Sequence, residues 1–284
     1  MKLLLTGSSG FIGSYFQSNY SDRYNIETFS FLKDELDSLD LTQIDTVVHL
    51  SALVHQMGGA AKEEYQRVNV DNTLALAQKA KQSGVKQLIF MSSVKVYGEE
   101  TDGSYTETTK CKPLDDYGIS KLEAENRLRE MEDDDFIVSI LRTPIVYGKG
   151  VKANILNLVK LVDKVPVLPF GGIDNRRSMV YIGNLCDMIE RLCESKTGGT
   201  FLAGDDQPVS TTELIKIIAK VRGRRVTLLA LPLFPQLLKS VKPSFYKRLY
   251  ESLEVDNSWT KKMLGFENRV STQEGIKLML NGKF

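Results

Sequence analysis

The stretch that most restricts the fold is Thr6-Gly7-Ser8-Ser9-Gly10-Phe11-Ile12-Gly13, because of what stands on either side of it. Lys2–Thr6 is a short apolar run of strand type, and Phe11–Tyr20 opens a helix. A glycine-rich loop between strand and helix turns tightly and lets the backbone approach a pyrophosphate. The helix N-terminus then stabilises that anion with its unpaired N–H groups and positive dipole end. The spacing is G-x-x-G-x-x-G, one residue longer than the commoner dinucleotide fingerprint.

Short apolar runs and helical patterns keep alternating after the loop. Tyr24–Phe29, Thr46–Leu50, Gln87–Met91 and Phe136–Leu141 read as strands, and Glu63–Ser83 and Tyr117–Met131 as helices. Such alternation predicts an α/β fold, a doubly wound parallel sheet with helices on both faces. After Pro144 the rhythm loosens, with helices expected over Asn154–Val162, Leu185–Glu194, Thr211–Val221 and Ser271–Leu280. Phe234–Leu253 reads as amphipathic and basic, and Ser178–Tyr181 as a short strand. No repeat or flexible linker divides the chain. A dinucleotide-binding domain over 1–150 is therefore expected, with 151–284 forming mainly a smaller α/β substrate lobe and a segment around 178–195 returning to the first.

Composition removes several function classes. A net charge of +1 lacks the basic excess of a nucleic-acid footprint. Cys111, Cys186 and Cys193 form no CxxC, which suits unpaired thiols in a reducing compartment. With only His49 and His55, there is little material for a metal site or a Ser-His-Asp triad, and His49 lies inside an apolar strand. The N-terminal apolar run is too short for a signal peptide, and Pro232 and Pro235 interrupt the most apolar later stretch. A cytoplasmic protein with no membrane span and no metal is expected.

Tyr117-Gly-Ile-Ser-Lys121 suggests the chemistry. A Tyr and a Lys four apart on a helix share a face. A phenol ordinarily titrates near ~10, and an ammonium close by favours the phenolate. Such a pair can move a proton to or from a hydroxyl or carbonyl.

Gly7/Gly10/Gly13, Ser93 and Tyr117-x-x-x-Lys121 together resemble the extended short-chain dehydrogenase/reductases, and within them the nucleotide-sugar epimerase/dehydratase group. Lesser matches are Asp40-Leu41, His49-Leu50-Ser51-Ala52, Asn69-Val70-Asp71-Asn72-Thr73, Pro113 with Tyr117, Ser120 and Lys121, and Leu141-Arg142-x-Pro144. The resemblance implies a Rossmann domain that binds NAD, with NADP left open because neither Glu27 nor Asp34 is well placed for the adenosine ribose. The cofactor contacts it implies are Gly7, Ser9, Gly10, Phe11, Ile12, Gly13, Asp40, Leu41, Leu50, Ser51, Ala52, Asn69, Tyr117, Lys121 and Pro144. It makes Tyr117 the acid/base, Lys121 its tuning partner and Ser93 the contact to the reacting hydroxyl, with Ser92 open as the alternative.

For the substrate, the resemblance implies a UDP-sugar held by Ser93, Lys95, Asn154, Arg177 and Arg248. Arginine suits a diphosphate because its planar fork pairs with phosphate oxygens. Val94-Lys95 stands where sugar dehydratases of the group carry an Asp-Glu pair, which disfavours water elimination. A 4-epimerase working through a 4-keto sugar is expected. A reductase of a UDP-4-keto-6-deoxy-hexosamine in surface polysaccharide synthesis is the alternative, and a non-catalytic dinucleotide sensor a remote one. Relatives of this type pair through the helices at Glu63–Ser83 and Tyr117–Met131, so a homodimer is expected, with Ile119, Leu122 and Met131 as candidate seam residues.

Overall fold

Along the chain, β1 (Lys2–Thr6), α1 (Phe11–Tyr20), β2 (Asn25–Phe29) and β3 (Thr46–His49) lead into α2 (Lys62–Tyr65) and α3 (Asn72–Gln82). β4 (Gln87–Ser93), β5 (Ser104–Tyr105), α4 (Asp116–Met131), β6 (Ile137–Thr143) and β7 (Ile145–Tyr147) follow. The second half contains α5 (Asn154–Lys164), β8 (Val167–Leu168), β9 (Met179–Tyr181), α6 (Ile182–Ser195), β10 (Gly199–Leu202), α7 (Thr211–Val221) and β11 (Thr227–Leu228). It ends with α8 (Phe234–Val241), α9 (Pro243–Tyr250), β12 (Glu254–Val255), α10 (Ser258–Leu264) and α11 (Thr272–Asn281). This computed structural model describes residues 1–54, 60–101, 103–151 and 154–282, with Asn154 described in its backbone alone.

Six strands form one parallel sheet in the order β10-β6-β4-β3-β1-β2. Apart from the edge strand β2, the sheet is buried on both faces, which is why its inner strands read as apolar runs. Leu3 and Leu5 of β1 enter one core layer with Phe16 of α1 and Leu185 and Ile189 of α6. Leu4 enters the other with Leu76 and Ala80 of α3 and Leu128 of α4. The chain builds outward from β1 to β2, then crosses to β3 on the other side. The strand order therefore reverses between β1 and β3, and a crevice opens there beyond the strand C-termini, where ligands of such sheets bind.

Pro144 takes the chain out of the sheet after β6. β7 then pairs with β9, β8 with β11, and β12 with β5 of the first half. β10, a four-residue strand not expected from the sequence, pairs with β6 and carries the return to the main sheet beyond residue 195. The amphipathic, basic stretch Phe234–Leu253 contains two helices, α8 and α9. Pro243 has no N–H to continue the first helix, yet fits the first turn of the second.

Candidate active site

The glycine loop is a cradle without room for side chains. Gly7 has φ +71, and a Cβ there would lie 2.8 Å from the Ser51 amide nitrogen. A Cβ on Gly13 would lie 2.2 Å from the Gly7 carbonyl oxygen. Gly10 caps α1 with no side-chain hydrogen bond, and the first turn has no acidic residue, so its N–H groups and dipole remain available to an anion. Ser9 and Gly10 are exposed at the loop tip, while Phe11 and Ile12 are half-buried behind it.

The facing wall is fixed by a relay of buried side chains. The Thr6 hydroxyl meets His49 Nδ1 at 2.7 Å and accepts the Ser51 N–H at 3.2 Å, and His49 Nε2 meets the Thr73 hydroxyl at 2.9 Å. Burial pushes His49 down to about 3, so it stays neutral and holds β1, β3 and α3 together. Leu50, Ser51 and Ala52 line the crevice half-exposed. Asn69 lies fully buried in a π-helical turn, Gln66–Asp71, between α2 and α3. Its Oδ1 accepts from Leu53 N–H at 2.8 Å, and its Nδ2 donates to the Leu53 carbonyl and the Ser120 hydroxyl at 3.0 Å each. The amide thereby secures the strand-end loop and ties it to α4. Leu41 is core, whereas Asp40 is exposed and accepts the Thr42 N–H at 2.9 Å, which holds its carboxyl below the usual range. At the end of β2, Asp34 folds back and accepts the Ser30 N–H at 2.8 Å, while Glu27 pairs with Lys2.

The two serines that end β4 point to opposite sides, as the period of a strand requires. The Ser93 hydroxyl accepts the Lys95 N–H at 3.3 Å, and its influence on the Tyr117 phenol favours the phenolate. Ser92 is buried and donates to Glu125 Oε1 at 2.5 Å. Glu125 also accepts from Arg142 Nε and Nη2 at 2.9 and 2.5 Å and from Arg129 Nη2 at 3.1 Å, and Arg142 Nη1 donates to the Tyr97 hydroxyl at 2.6 Å. The start of α4 is set by Asp115, which accepts the Gly118 N–H at 2.7 Å and pairs with Lys95 at 2.9 Å. Tyr117 is thus tied to the turn that follows Ser93.

Lys121 is buried on the same helix as Tyr117. Its ammonium donates to the Met91 carbonyl at 2.7 Å and sits 4.3 Å from the Phe90 ring centroid. Burial raises Tyr117 to about 12, opposed by the Ser93 hydroxyl and reinforced by the Asp115 charge. Burial brings Lys121 down to about 7, partly offset by Glu125. A free lysine titrates near ~10.4, so between these two values the unfolded chain binds a proton that the folded protein does not. The Lys121 contribution to stability therefore increases with pH across that window, and below it the fold must hold a buried ammonium. Lys121→Met is expected to melt above the wild type by a margin that is largest near about pH 6 and shrinks toward about pH 9. A margin independent of pH in melting scans would contradict this.

Beyond the sheet lies a cavity of ≈ 160 Å³ with mostly apolar walls, among them Ile155, Leu158 and Leu249. Arg177 and Arg248 both line it. Arg177 donates to the Glu251 carbonyl at 2.9 Å, and burial together with the Arg248 charge lowers its pKa. Arg176 turns the other way into a two-point pair with Glu254, at 2.5 and 2.8 Å. Two guanidinium groups converging in an apolar pocket suit a ligand with more than one negative charge.

Residues 3–204 match the family described as NAD dependent epimerase/dehydratase family. The chain belongs to that family. It is 36% identical to the UDP-glucose 4-epimerase of Vibrio cholerae over 97% of this chain and 93% of that protein. Among solved structures it is similar to the UDP-glucuronic acid 4-epimerase of Bacillus cereus in complex with NAD, with a TM-score of 0.80, 22% identity and coverage of 99% and 98% of the two chains. MoeE5 in complex with UDP-glucose and NAD gives a TM-score of 0.77 at 25% identity, also over 99% and 98%.

The remaining candidate residues are Lys95, Pro144, Asn154 and those of the dimer seam. Lys95 is held between Glu99 and Asp115, at 2.8 and 2.9 Å, which raises its pKa against the effect of burial. Pro144 is buried at the junction of β6 and β7, and the Asn154 side chain lies outside the described residues. Of the candidate seam residues, Ile119 is exposed, while Leu122 and Met131 pack partly buried against apolar clusters of their own chain. The Glu125–Arg142 pair was missed in the sequence. Its signal was Glu125 itself, four residues after Lys121 on one helix face. Among the described residues, no helix is long and apolar enough to cross a membrane, and no cluster of His, Cys, Asp and Glu could hold a metal ion.

Proposed function

We propose that this chain is an NAD-dependent nucleotide-sugar 4-epimerase acting on a UDP-hexose or UDP-N-acetylhexosamine. The observation that carries the proposal is the likeness to the Vibrio cholerae UDP-glucose 4-epimerase along nearly the full length of both chains. The cradle at Gly7 and Gly13 and the open N-terminus of α1 fit a dinucleotide pyrophosphate. NAD rather than NADP is favoured by the family match and by the NAD held in the similar solved structures.

Bound NAD supplies a hydride acceptor and donor for the sugar C4. Tyr117 takes the 4-hydroxyl proton as the carbonyl forms and returns it when the carbonyl is reduced from its other face. Ser93 holds the reacting oxygen, and Lys121 binds the cofactor's ribose. Arg177 and Arg248 clamp the diphosphate, so that the 4-keto sugar can turn without leaving. The enzyme is cytoplasmic, in keeping with its unpaired cysteines, and forms a homodimer through α3 and α4, where Ile119 is exposed.

The test is interconversion of UDP-glucose and UDP-galactose, and of their N-acetylated forms, followed by NMR with no reductant added. Conversion in both directions is expected. Consumption of a 4-keto sugar only, and only with added reduced nicotinamide, would make the protein a reductase and overturn the proposal.

A further inference from the structure

Six large apolar side chains stand exposed between Leu229 and Phe245. Leu233, Leu237, Val241 and Phe245 recur every fourth residue at 80%, 62%, 66% and 44% exposure, and Leu229 and Leu231 extend the strip at 43% and 46%. Phe245, Arg248 and Leu249 of α9 line the cavity, but a helix pair packed fully over it would bury the strip. Instead neither helix has a buried residue, and only partly buried ones such as Phe234 and Leu249 reach back to the core.

Within the segment itself, charge is of one sign. From Leu229 to Tyr250 the chain carries Lys239, Lys242, Lys247 and Arg248 and no acidic residue, in a protein whose net charge is +1. The acidic groups facing the segment come from neighbouring elements: Glu99 lies 3.6 Å from Lys247, and Glu251 carries a charge that acts on Lys239. An apolar strip rimmed by lysines has the character of a helix lying in a bilayer interface. A second copy of the same face would bring like charges together across a two-fold axis, whereas an anionic lipid surface complements them.

We propose that α8 and α9 dock this protein on an anionic phospholipid bilayer, with Leu233, Leu237 and Val241 at headgroup depth and Lys239 and Lys242 against lipid phosphates. Eight residues per helix are too few to span, so the pair lies flat. Phe245 belongs both to this surface and to the cavity of Arg177 and Arg248. Docking therefore brings that cavity to the membrane surface, a consequence independent of which reaction is catalysed.

The full chain sedimented with vesicles tests this. Vesicles holding about a third phosphatidylglycerol are expected to carry the protein down, pure phosphatidylcholine vesicles much less, and added salt to release it. Lys239→Gln is expected to weaken binding roughly fivefold, as is Lys242→Gln. Leu237→Gln/Val241→Gln should abolish binding without changing turnover of soluble substrate. Failure to sediment with either vesicle, or equal binding to both, would overturn the proposal. So would a concentration-dependent dimer in light scattering that Leu237→Gln/Val241→Gln dissolves, since that would make a second copy the occupant of this face.

Discussion

Tyr117→Phe is expected to lower kcat for UDP-sugar interconversion by roughly 10²–10⁴-fold, the range associated with a positioned acid/base, while leaving KM and the melting temperature nearly unchanged. The substitution removes one hydroxyl and keeps the ring, which packs with its centroid 6.3 Å from that of Tyr65. What is lost is the phenol proposed to carry the proton. The phenol is raised to about 12 by burial, with Lys121 committed to the Met91 carbonyl. It is therefore protonated at neutral pH in the protein alone, ready to donate toward a forming hydroxyl and reluctant to accept from one. The half of turnover in which the 4-hydroxyl gives up its proton should quicken with pH, and in Tyr117→Phe that dependence should vanish. A variant that kept most of the wild-type rate in the NMR assay would sink the mechanism.

Glu125→Ala is expected to cost about 3–5 kcal/mol of stability, the largest effect of any single change away from the crevice. The Glu125 and Arg142 side chains are 0% and 3% exposed, so truncation leaves a buried guanidinium without its carboxylate. The Ser92 hydroxyl and Arg129 lose the same partner. Because the carboxylate joins α4 to β4 and β6, activity should fall together with the denaturation midpoint. The double variant Glu125→Ala/Arg142→Leu should recover part of the loss, since removing both charges avoids the uncompensated one. Additive losses in urea titrations would show that the pair does not act as a unit.

Much of this site could be read from residue order. The glycine loop announced itself because its neighbours have strand and helix periods, and the turn chemistry is local. The interval from Tyr117 to Lys121 likewise needs only helix geometry to put both on one face. Neighbours in sequence that diverge in space were not legible. Ser92 and Ser93 differ only in which side of β4 they face, and that depends on the register of β4 against β6 and on where α4 lies. Arg176 and Arg177 separate in the same way, one to Glu254 and the other to the cavity. β10 escaped notice because Gly199–Leu202 is too short to establish a period.

By itself, then, the sequence determined the winding of the sheet, the glycine loop between β1 and α1 and the candidate pair Tyr117 and Lys121, all of which rest on contacts within a few residues of chain. Only the tertiary structure decided where the charges go. Lys121 met the Met91 carbonyl, Glu125 was buried against Arg142, and the α8–α9 face was left uncovered. The physical reason is the range of the forces involved. Backbone geometry and side-chain period act between near neighbours, whereas desolvation and charge pairing depend on whatever the fold brings alongside.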